Sequence, residues 1–153
     1  TVTVKHEAVV STAITILQLK AGAAAPFEVL RAWVTQRLSE VSTQESIRIL
    51  RKTGAATVTA GVAGTHVFKT RTNDPTAGLE LSTTATGVIG TAEGTDGDID
   101  VDEGFNILNG WIWVPTEKER IWVPGGGFVA LKFPNAPASA TWQFGMTICE
   151  YRG

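Results

Sequence analysis

This chain of 153 residues has one cysteine, Cys149, and two histidines, His6 and His66. One thiol excludes an internal disulfide framework, and two histidines so far apart with one cysteine assemble no common zinc site locally. An excess of basic residues is missing as well: the net charge is −2 and the pI near 5.7. The footprint that nucleic-acid binding needs is therefore absent. No apolar run approaches the length of a bilayer span; Val2–Val10 is interrupted by Lys5, His6 and Glu7. No signal peptide is visible, and the chain, opening at Thr1, reads as a complete protein made in the cytosol. Neither a G-x-S-x-G elbow nor a P-loop occurs. Gly125-Gly126-Gly127 lacks the lysine and following helix of a phosphate cradle and reads as a tight strand connection. These absences point away from an enzyme and call for no cofactor.

What is present is β-rich. The 43% apolar content is ordinary for a globular chain, and the length suits a single domain over 1–153. The stretch Gly104–Pro134 holds three of the five tryptophans and three apolar runs, Trp111–Val114, Ile121–Val123 and Phe128–Phe133. Pro, Gly and the charged Thr116–Arg120 separate them, as in successive strands. Consecutive apolar residues in Trp111–Val114 predict a strand covered on both faces.

Elsewhere the period is two. In Thr1–Val10, Val2, Val4, Ala8 and Val10 fall on one side, giving a strand or an extended N-terminal arm. Ala13–Leu19 and Ile47–Arg51 are strands, with Ile47 and Ile49 inward. Pro26–Leu38 shows near-helical spacing at Phe27, Leu30, Val34 and Leu38, yet Val29, Trp33, Val34 and Thr35 favour a strand, which is the reading adopted. Ser39–Ser46 is a turn, Gly54–Gly64 a small-residue loop, and His66–Thr72 a further strand. Thr76–Gly104 reads as loop-dominated, with short strands around Leu79–Leu81 and Asp98–Asp102. Thr141–Glu150 alternates with Trp142, Phe144, Met146 and Ile148 inward. Seven to nine short strands and at most one helix predict an all-β antiparallel sandwich. Long connections that cross between sheets favour a single jelly roll, with 104–150 as core strands.

Within AEGTDGDIDVDEG, Asp96, Asp98, Asp100 and Asp102 alternate, and a hard cation such as calcium between them is one way to relieve their repulsion. The pattern is not an EF-hand, and a solvated acidic loop is the plainer reading. Glu117 and Glu119 flank Lys118 in a turn and read as a solvated charge cluster. Cys149 reads as a packed thiol. The five tryptophans, Trp33, Trp111, Trp113, Trp122 and Trp142, suit either core packing or a stacking platform for sugars.

The segment Glu103–Glu150 resembles small structural proteins of tailed bacteriophages. N-G-W-x-W-x-P, then E-R-I-x-V-P, a glycine-rich turn and T-W-x-x-G-M-T carry the resemblance, with AEGTDGDI and IRILRK adding to it. It implies a virion protein of the capsid cement, or decoration, kind with a jelly-roll fold. Made in the host cytoplasm, it would sit on the capsid surface, bind between major capsid protein subunits and form a dimer or trimer, without nucleic acid or membrane partners. Contact residues would be Val2 and Val4 of an arm that adds a strand to a neighbour, with Trp111, Trp113 and Trp122. Two other readings are a carbohydrate-binding module of a virion fibre and a single-jelly-roll shell protein.

Overall fold

Alternating apolar residues need two facing layers to bury them, and two sheets are what forms. The computed structural model describes residues 1–37 and 42–151. One sheet contains β1 (Val2–Val10), β3 (Phe27–Arg37), β6 (Val67–Lys69), β9 (Trp111–Trp113), β10 (Ile121–Val123) and β12 (Ala140–Glu150). The other contains β2 (Ile14–Lys20), β4 (Gln44–Gly54), β5 (Thr57–Ala60), β7 (Gly87–Ala92), β8 (Thr95–Asn106) and β11 (Phe128–Phe133). Every strand pairing is antiparallel. Among the described residues the one helical element is a 3₁₀ turn, Glu117–Glu119.

The first sheet runs β10-β3-β12-β1-β6 and the second β5-β7-β2-β11-β4-β8. Four strands of each, β1-β12-β3-β10 and β2-β11-β4-β8, give the order of a jelly roll: the chain changes sheet at each step from β1 to β4. Strands β5, β6 and β7 are an insertion between β4 and β8 that widens both sheets. Between the layers lie Val2, Val4, Ile16, Leu19, Val34, Ile47, Ile49, Leu131, Phe133 and the full inward row of β12, Trp142, Phe144, Met146 and Ile148.

The ambiguous Pro26–Leu38 is a strand through Arg37, and a bulge explains its mixed period. Val29 pairs with Ile148 and Arg31 with Thr147, so Leu30 is an extra residue. The inward set changes there from Phe27 and Val29 to Ala32 and Val34, which imitates a helical spacing.

Several expectations are corrected. Thr1–Val10 is no free arm: β1 is an interior strand, paired along all nine residues with β12 and at its start with β6. Trp111–Val114 is not covered on both faces. It is an edge segment in which Trp111 is buried while Ile112 and Val114 are exposed. The two-sided strand is β2, where Thr15 through Leu19 are all buried. Its outer face is sealed by the insertion: the Gln18 amide donates to the Ala85 and Ala56 carbonyls and accepts from the Ala56 N–H. Gly54–Gly64 contains β5, and Thr76–Gly104 contains β7 and most of β8 instead of being mainly loop. The turn expected over Ser39–Ser46 lies in part outside the described residues.

Candidate functional site

The acidic run is the long edge strand β8, and its partner β4 is basic on the matching side. Arg48 stands opposite Asp102 and Lys52 opposite Asp96. Register shifts between these pairs leave Asp100 as an extra residue, which turns toward Arg51. The contacts are Arg48–Asp102 at 2.9 Å, Arg51–Asp100 at 3.3 Å and Lys52–Asp96 at 2.7 Å. Three of the four aspartates proposed for calcium therefore face cations of the same chain. Among the described residues Asp98 has no such partner, and its charge, after burial, helps push the Asp100 carboxyl up against the pull of Arg51. Among the described residues no group of three or more His, Cys, Asp or Glu side chains is placed to hold a metal ion. A cation would have to displace lysine and arginine from these carboxylates. Added calcium or a chelator should accordingly leave the thermal midpoint unchanged; a midpoint that climbs with calcium concentration would reinstate the ion site.

Asp96 also belongs to a half-buried network that sequence reading missed. The Lys52 ammonium, on a fully buried side chain, donates to the Glu93 carbonyl at 2.6 Å and to Asp96 at 2.7 Å. Lys132 of β11 reaches Glu93 at 2.8 Å and Asp96 at 2.6 Å. Thr15 donates to both Glu93 oxygens, through its N–H at 2.6 Å and its hydroxyl at 2.9 Å. Burial pushes both carboxyls up, but the bonds from Lys132, with those from Thr15 to Glu93 and Lys52 to Asp96, outweigh it and hold them below their ordinary values. Two cations and two anions close this network on themselves. The signal available was IRILRK itself, in which Arg48 and Lys52 share one face of a strand.

Beside β8 lies a cleft of about 530 Å³, lined by Arg51, Asp100, Asp102, Trp113, Lys118 and Arg120. Its far wall is the second edge, where β9 and β10 pair with successive parts of β3 and are interrupted by residues 114–120. Thr116 and Glu119 close that excursion with a capping box, and their bonds hold the Glu119 carboxyl below its usual range. Arg51 spans the cleft, donating to the Trp122 carbonyl at 2.9 Å. Of the charged groups named here, Arg51 pairs with Asp100, Asp102 with Arg48 and Arg120 with Glu28.

The tryptophans divide by depth. Trp142 and Trp111 are buried, Trp111 donating its indole N–H to Glu103 at 2.7 Å. Trp33 and Trp113 are half-buried. Trp122 is 44% exposed and packs beside Tyr151 at 5.4 Å. The Tyr151 hydroxyl donates to Glu28 at 2.9 Å, the leading reason its pKa is pushed up to about 12. Of the expected contact residues, Val2 and Val4 lie inside the sandwich core, so they offer a partner nothing. Trp122 remains at the surface, joined by Ile112 and Val114. Cys149 is half-buried on the outward side of β12. Comparison of the chain with family models, with curated proteins and with solved structures finds no match.

Proposed function

We propose that this chain is a non-enzymatic structural protein of a virion, a cement or decoration subunit that seats between major capsid protein subunits and stabilises the head. The observation that carries this reading is the edge β9–β10. Ile112, Val114 and Trp122 are exposed there on a jelly roll whose acidic strand across the cleft is paired with Arg48, Arg51 and Lys52 of its own chain. Apolar groups on an unpaired edge suit a permanent protein neighbour. The phage-protein resemblance of Glu103–Glu150, which contains this edge, supplies the kind of neighbour. A protein that binds the assembled lattice and not its dispersed subunits stabilises the lattice by mass action.

The test compares particles assembled with and without the protein under heat and osmotic shock. Particles lacking it should fail first, and particles carrying Ile112→Glu should fail with them because the charged edge no longer seats. Equal survival of complete and depleted particles would overturn the reading. Purified protein that closes into shells by itself would replace it with the shell-protein reading.

A further inference from the structure

The outer face of the first sheet carries a constellation of which the capsid reading uses Ile112 alone. Cross-strand register places Ile112, Trp33, Gly145 and Lys5 in one row across β9, β3, β12 and β1. Gly145 is required here, because an added β-carbon would collide with the Trp33 ring lying over it. The Arg31 guanidinium sits 4.5 Å from the centre of the Trp33 ring, and the Lys5 ammonium 4.7 Å from that of Phe68. Neither cation has a carboxylate within ion-pair distance among the described residues.

Grooves open on both sides of Trp33. One, of about 490 Å³, is lined by Lys5, His6, Glu7, Arg31 and Gln143; the other, of about 370 Å³, by Arg31, Thr35, Asn109 and Ile112. Both volumes are in the range of small-molecule sites. The first groove is preorganised. Glu7 Oε2 accepts from Arg37 and from the Gln143 amide, each at 2.7 Å, and these two bonds hold the Glu7 carboxyl ionised below its usual range. Both bonds use Oε2.

We infer that this double groove binds an acidic saccharide of two or more rings. The apolar face of a sugar ring stacks at Trp33. The carboxylate or sulfate of that sugar meets Arg31 and Lys5, whose weak exposed contacts with aromatic rings are readily exchanged for an anion. Sugar hydroxyls donate to Glu7 and exchange hydrogen bonds with Gln143 and Asn109. The Glu7 carboxylate, already held by Arg37 and Gln143, adds an acceptor for sugar hydroxyl groups.

Calorimetry and tryptophan fluorescence with sialyllactose, which carries a carboxylate, with a sulfated lactose and with neutral lactose test this and separate the two acid types. At least one acidic saccharide should bind roughly tenfold more tightly than lactose. Trp33→Ala should abolish binding. Arg31→Gln, at an exposed position, should erase the acid-over-neutral preference while the unfolding midpoint stays unchanged, an outcome that structural damage does not produce. Absence of binding by both acidic saccharides at millimolar concentration, or binding that survives Trp33→Ala, would overturn the inference. Neither result depends on capsids, so the capsid reading stands or falls separately.

Discussion

Trp142→Ala should lower stability by about 3–5 kcal/mol, the usual range for truncating a large buried aromatic. Trp142 has no exposed surface and packs against Phe133 at 5.0 Å and Phe105 at 6.3 Å between ring centres. Its indole N–H also donates to the Val10 carbonyl at 3.2 Å, at the far end of β1. The truncation thus opens a cavity between the sheets and removes a side-chain tie between β12 and β1. For a domain of this length such a loss shifts the thermal midpoint by roughly 6–20 °C, and it consumes much of a typical total of about 5–15 kcal/mol. Trp122→Ala is the control, since Trp122 is at the surface and a substitution there should cost about 1 kcal/mol or less. Calorimetric midpoints of the two variants decide the point; equal shifts would mean that Trp142 is not the core residue described.

Lys52→Ala should lower stability by about 3–4 kcal/mol. Removing one partner of a buried ionic network leaves the others under-satisfied, which commonly costs about 3–5 kcal/mol. Here Lys132 still pairs with both carboxylates, so the lower part of that range applies. The network also sets an acid limit. Glu93 and Asp96 are held below their ordinary values of 4.5 and 3.8, so the folded chain binds these protons less readily than the unfolded chain does. Their stabilising contribution is complete above those ordinary values and is lost as pH falls through the lower folded ones. Denaturant midpoints measured from pH 6 down to pH 2 should decline in the wild type. The decline should be shallower in Lys52→Ala, where Asp96 has lost one of its two cations. Parallel profiles would show that Lys52 does not help keep Asp96 ionised.

Much of the fold was legible because burial writes a period of two into any strand with one wet face. The row Trp142, Phe144, Met146 and Ile148 and the pair Ile47 and Ile49 were read correctly as inward-facing; Val2 and Val4 were placed on one side of a strand, but as contacts for a partner and not as core. The reading failed where that period is absent for a physical reason. Strand β8 is exposed over most of its length, and its aspartates alternate with Gly97, Ile99 and Val101 in place of a continuous apolar row. Strand β7 is built of small residues because neighbours press close: an added side chain at Gly87 would collide with β5. Trp111–Val114 misled in the opposite direction. Ile112 and Val114 are apolar without being buried in this chain, and composition does not separate an edge awaiting a neighbour from a strand already covered.

The amino-acid order by itself determined the class of the molecule: a strand-rich single chain with enough alternating apolar residues to fill one interior, and turns spaced for an antiparallel sandwich. These follow from local periodicity and turn chemistry, which a few neighbouring residues suffice to specify. Only the tertiary structure decided which groups meet. The aspartates of β8 face Arg48, Arg51 and Lys52 because bulges set the register of two strands some fifty residues apart, and Lys132 joins them from a third. Trp33 and Lys5 share a face because β12 places Gly145 between them. Contacts of that kind depend on long-range pairing energies summed over whole strands, and no window of sequence contains them.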